Sequence, residues 1–249
     1  MRPLQNSMAI FVLACSTQAC ATGSIADLSI YDRTEGRQLQ VYRHEGRAYV
    51  AGKPGNEYQV SLRSRERDDI LAVVSVDGVN AVTCQTADAS QSGYVLSPGS
   101  SMSVHGWRKS LSETAAFYFT TLADSYAART GRPDNVGVIG VALFRRKQEL
   151  QPLGQIAPSP HSRNESSSDA ASGPRAAEAE KQIGTGHGRH ETSYARYVAF
   201  QRASLVPAET ITIYYDSRAN LVARGVIREP VPVAPLPRPF PGFVPDPAG

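Results

Sequence analysis

The chain has 249 residues, a formal net charge of +3, 41% apolar residues and three cysteines. That length allows one or two domains, and so small an excess of cations argues against a nucleic-acid surface, which needs clustered Lys and Arg. No apolar run approaches the roughly 20 residues of a membrane-spanning helix.

Residues 1–21 read as a secretory signal peptide. Arg2 supplies a positive start, Met8–Ala14 is a short apolar run, and Ala19-Cys20-Ala21 has the small-x-small form of a cleavage site. Two destinations follow. Cleavage after Ala21 releases a soluble periplasmic protein. Alternatively, Val12-Leu13-Ala14-Cys15 matches a lipobox, in which Cys15 is acylated and the product is an outer-membrane lipoprotein. A membrane contact is expected only through that lipid. The soluble product keeps Cys84 alone, so no internal disulfide is available to it. Nothing next to Cys84 offers a base, which favours a passive thiol over a nucleophile or an intermolecular disulfide.

Residues 28–146 read as a mainly β, antiparallel sandwich-like domain. Leu39–Tyr42, Arg47–Val50 and Tyr58–Leu62 alternate apolar with polar, the period of a strand with one face buried. Ile70–Val76 is almost continuously β-branched or aliphatic, which predicts a strand buried on both faces. Asp77-Gly78 behind it predicts a tight hairpin turn. Gly93–Leu96, Ser101–His105, Thr114–Thr120 and Val136–Phe144 continue the strands, and Tyr126–Gly131 reads as a short helix or turn stopped by glycine.

Residues 147–182 are small and polar, with too little to bury to offset their ordering entropy, and are expected to form a disordered linker. A small α+β addition follows at 183–228. Tyr197–Phe200 and Thr210–Tyr215 read as strands, and Arg218–Ala223 as a helical turn capped by Asp216 or Ser217 and ended by Gly225. Forty-odd residues make a weak core alone, so this unit should dock on the first or add strands to it. Residues 229–249 are a tail with eight prolines, expected to be extended or disordered.

The segments Ala72–Asn80, Gly93–Leu96, Gly106–Arg108, Asp124–Gly131, Asn135–Ala142 and Gly184–Gly188 together resemble an uncharacterised family of exported bacterial proteins. The resemblance implies export and carries no activity or catalytic residue. It implies glycine where this chain has Cys84, which should alter that turn.

Few residues suggest chemistry. Gly184-Thr-Gly-His-Gly-Arg-His-Glu191 places His187, His190 and Glu191 close together, and two imidazoles with a carboxylate could hold a divalent cation, the only cofactor the chain suggests, or an anion. That spacing fits no familiar zinc motif, and a flexible entry to the second unit is the plainer reading. Asp77 and Asn80 suit a turn better than a general base acting with His105. Trp107 and Arg108 could form a core anchor or a recognition surface. Without a nucleophile elbow or a phosphate loop, the expected function is non-catalytic binding or structural interaction with an unidentified envelope protein or surface ligand, the alternative being a metal-dependent envelope hydrolase that uses His187, His190 and Glu191.

Overall fold

The computed structural model describes residues 21–148 and 182–229. The expectations for residues 1–20, for most of the linker and for the proline-rich tail lie outside the described residues. Two β-sheets make up the fold. The first contains β1 (Ala21–Thr22), β2 (Ala26–Asp32), β3 (Arg37–Gln38), β6 (Glu57–Ser64), β10 (Ser101–Val104), β11 (Gly106–Arg108), β12 (Glu113–Thr121) and β14 (Ile183–Thr192). The second contains β4 (Val41–His44), β5 (Arg47–Gly52), β7 (Ile70–Val76), β8 (Val79–Asn80), β9 (Tyr94–Leu96), β13 (Val138–Arg145) and β15 (Glu209–Ser217). All pairings are antiparallel except β5 with β15.

Alternation explains the sandwich. Leu28 and Ile30 of β2, Tyr58, Val60 and Leu62 of β6, and Phe117 and Phe119 of β12 are buried on the first sheet. They share one core with Val74, Val76, Ile139, Val141, Ile213 and Tyr215 of the second. The layers meet where the Phe119 and Tyr215 rings lie 5.4 Å apart.

The predicted central strand is β7. It pairs with β13 on one side and with β8 and β9 on the other, and six of its seven residues are buried. Its outward residues Leu71 and Val73 pack with Phe144, Phe200 and Ala89. Asp77 and Gly78 take φ of 51° and 70°, the left-handed pair that a two-residue hairpin turn requires.

The segment after the linker adds strands to both layers, with Ile183, Ile211, Ile213 and Tyr215 inside the common core. β14 pairs with β12 along its length, and β15 sits between β5 and β13. Helix α2 (Arg218–Ala223) follows β15. Ser217 caps it, its side chain accepting from the Asn220 N–H at 3.2 Å, and Gly225 at φ 72° ends it.

Two local expectations change. Gly184–Glu191 is β14 itself and not a flexible entry, because the glycines permit close packing: a Cβ on Gly186 would lie 2.2 Å from the Tyr118 ring, and one on Gly188 2.7 Å from the Ala116 carbonyl oxygen. Tyr197–Phe200 forms no strand. It belongs to an extended crossover between β14 and β15, in which Tyr197 has no layer to pack against.

Candidate functional site

A register shift in β14 decides how the predicted histidine–glutamate group is arranged. His187 faces Phe117 and His190 faces Ala115, so three steps along β14 match two along β12. A bulge of this kind re-aims side chains. It brings the His187 and His190 rings to 6.2 Å, with the Tyr126 ring of α1 (Tyr126–Arg129) 5.4 Å from His187. Burial, and then the Lys109 cation, hold the His187 imidazole below its ordinary pKa.

Glu191 is engaged elsewhere. It accepts two hydrogen bonds from the Arg33 guanidinium, at 3.0 and 2.9 Å, and lies 3.3 Å from Arg189 and 3.5 Å from His105 Nδ1. Arg189 in turn forms a two-pronged pair with Glu57 at 2.8 and 3.0 Å, which holds the Glu57 carboxyl below its usual range. Alternation puts Arg189 and Glu191 on one strand face with His190 between them on the other, and the bulge moves His187 off the face it would otherwise share with them. The structure thus joins His187 to His190 and commits Glu191 to an arginine network. Among the described residues no three His, Cys, Asp or Glu side chains converge in a geometry suited to a metal ion.

Trp107 corrects the recognition reading. It is 0% exposed, edge-on to Phe117 at 4.9 Å and tilted against Tyr126 at 5.0 Å. A ring buried to that extent is a core anchor and cannot serve as an exposed platform. Arg108 is also committed: it donates to the Ser193 carbonyl at 2.9 Å, to Ser193 Oγ at 3.0 Å and to the Ser110 carbonyl at 3.1 Å.

The polar cluster at the end of β7 divides into two. Asn80 behaves as a turn residue, its Oδ1 accepting from the Val82 N–H at 2.7 Å. Asp77 bonds residues distant in sequence: its carboxylate accepts from the Thr185 N–H at 2.7 Å, the Gly137 N–H at 2.9 Å and the Tyr215 hydroxyl at 2.5 Å. Thr185 Oγ1 lies 2.7 Å from the Tyr215 hydroxyl and 2.5 Å from that of Tyr58. Tyr215 spends its proton on Asp77, so Thr185 donates to Tyr215 and Tyr58 donates to Thr185. All four residues are buried, and desolvation raises the Asp77 carboxyl to about 6 while both phenols move up. His105 faces Glu191, so it forms no dyad with Asp77.

Sequence reasoning missed the most exposed feature. Among the described residues the large exposed apolar side chains are Leu111, Tyr194, Tyr197, Val198, Leu205 and Val206. Five of them lie on the crossover between β14 and β15, and Leu111 accepts a hydrogen bond from the Ala195 N–H at 2.7 Å. Tyr194 is 85% exposed, Tyr197 90% and Leu205 88%.

The crossover is held from both ends and the middle. Ser193 N–H donates to the Ser112 carbonyl, Lys147 N–H to that of Gln201, and Ala203 N–H to that of Arg145. The Arg146 guanidinium lies 4.8 Å over the Phe200 ring. Arg202 lies 4.2 Å over Phe144 while donating to the Ala89 and Gln91 carbonyls. The signal available in the sequence was a run of aromatic and aliphatic residues, Tyr194 to Val206, with neither strand nor helix period.

No family model matches the chain, and comparisons with curated proteins and with solved structures give no significant match.

Proposed function

We propose that the chain is an exported, non-catalytic binding module of the cell envelope, and that the 193–206 crossover is its contact surface for a protein partner. The observation that carries this reading is the gathering of all six large exposed apolar side chains of the described residues on and beside one pinned segment. Soluble proteins scatter such residues singly, and clusters mark interaction sites. Tyrosine suits this role because it offers a large amphipathic contact with little rotamer entropy to lose. Pinning adds preorganisation, because the crossover is ordered by Phe200, Arg146 and Arg202 before any partner arrives. Export rests on the signal-like start and on the resemblance to exported proteins, and acylation of Cys15 would tether the module to a membrane.

The test is native electrophoresis of envelope extracts carrying the wild type or a Tyr194→Ser, Tyr197→Ser, Leu205→Ser triple variant. These side chains are exposed, so the variant keeps its fold by circular dichroism. The wild type should migrate in a complex that the triple variant does not form. Identical migration of the two as free protein contradicts the reading.

A further inference from the structure

The same bulge that separates Glu191 from the histidines leaves a one-sided field around them. Rings run outward from the core as Trp107, Tyr126, His187 and His190, with successive centroids 5.0, 5.4 and 6.2 Å apart. Lys109 follows Trp107 by two residues, and Arg129 ends the helical turn that begins at Tyr126. Both are exposed, and among the described residues neither takes part in an ion pair. The neighbouring charges that bear on His187 belong to Lys109, His190 and Arg129, all of one sign. Of the acids near β14, Glu57 and Glu191 are neutralised by Arg33 and Arg189, and Glu113 stands exposed on β12 opposite Thr192, beyond the end of the histidine pair.

We infer that His187, His190, Lys109 and Arg129 form a binding site for an oxyanion, a phosphate group being the chemistry that fits best. Two unpaired cations supply the charge, His190 supplies an N–H donor, and His187, one of whose ring nitrogens bonds its own backbone carbonyl, supplies a second when the bound anion protonates it. The ring row beneath the site makes one wall apolar, which strengthens each charge-assisted bond relative to open solvent. Lys109 and Arg129 come from separate elements flanking β14, so the anion would bridge the β11–β12 turn and α1. This site is independent of the crossover surface: one binds a small charged group, the other a protein face.

The experiment follows the His187 and His190 imidazole resonances by NMR during titration with inorganic phosphate, ionic strength being held constant with sodium chloride. Saturable shifts of both are expected. Lys109→Gln and Arg129→Gln should each weaken binding about tenfold, the size of one hydrogen bond to a charged group, while Arg43→Gln on β4 leaves it unchanged. Shifts that do not saturate, that chloride alone reproduces, or that survive both Gln substitutions in folded protein overturn the site. Sedimentation with phosphatidylglycerol and with phosphatidylcholine vesicles separates the sources. Retention on the anionic vesicles alone, lost in Lys109→Gln, assigns a lipid headgroup; phosphate binding without retention assigns a soluble phosphate ligand.

Discussion

The Tyr215 hydroxyl donates to Asp77 at 2.5 Å in the interior of the protein, tying β15 to the β7–β8 turn. Thr185 and Tyr58 extend this bond into the other sheet, so one hydrogen-bonded chain crosses the sandwich. Asp77 is a buried carboxylate stabilised by three donors, none of them a full cation. Its burial cost is visible as a pKa raised from the ordinary 3.8 to about 6.

That shift sets a pH dependence. The folded pKa lies above the unfolded one, so the stabilisation from Asp77 is fully present below the unfolded value and is lost as pH rises through about 6. Between pH 4 and pH 7 the wild type should lose roughly 2 to 2.5 kcal/mol relative to Asp77→Asn, whose side chain does not titrate. Urea unfolding of both proteins across this range measures the difference. A constant difference would show that Asp77 titrates at its ordinary value.

The two phenols should not be equivalent. Tyr215→Phe removes a donor from a buried carboxylate and should cost about 1.5–3 kcal/mol, whereas Tyr58→Phe removes a neutral bond worth about 1 kcal/mol. Tyr215→Phe should also raise the Asp77 pKa further, moving the acid-side slope to higher pH. Denaturant midpoints of the two variants check the order.

Trp107 packs against Phe117 and Tyr126 with no exposed surface. Trp107→Ala should therefore cost about 3–5 kcal/mol in stability, while the wild-type fluorescence should be blue-shifted and poorly quenched by iodide. Efficient iodide quenching in the folded protein would contradict the core assignment.

Cys84 sits at φ 59°, a conformation glycine adopts freely and a β-branched residue resists. Its thiol is half-buried, and desolvation raises its pKa, so it should react slowly with thiol reagents. Cys84→Gly should stay within about 1 kcal/mol of wild type because relief of backbone strain offsets lost packing. Cys84→Val should be destabilised by about 1–3 kcal/mol. Thermal unfolding of the pair tests this.

Much of the fold was legible because alternation and β-branched runs are local signals. β7, β13 and β15 lie close to where the pattern put them, and the Asp77-Gly78 turn follows from two residues alone. Sheet membership was less legible, since nothing local in Gly184–Glu191 reveals that Tyr118 and the Ala116 carbonyl need glycines opposite them. The candidate site was harder still. His187 and His190 were visible as a pair, but the bulge that turns Glu191 toward Arg33 depends on the register with β12. Lys109 and Arg129 reach the pair through tertiary structure only. Asp77 looked like a turn residue because its partners Thr185 and Tyr215 are more than a hundred residues away.

The central claim is that the pinned crossover contacts a protein partner. Its most direct measurement is photocrosslinking in producing cells, with a photoreactive amino acid at Tyr197 and, for comparison, at Arg43 on β4. A discrete crosslinked product from position 197, absent from position 43 and lost when Tyr194 and Leu205 are replaced by serine, is the predicted result. Crosslinking from 197 no greater than from 43 would contradict it.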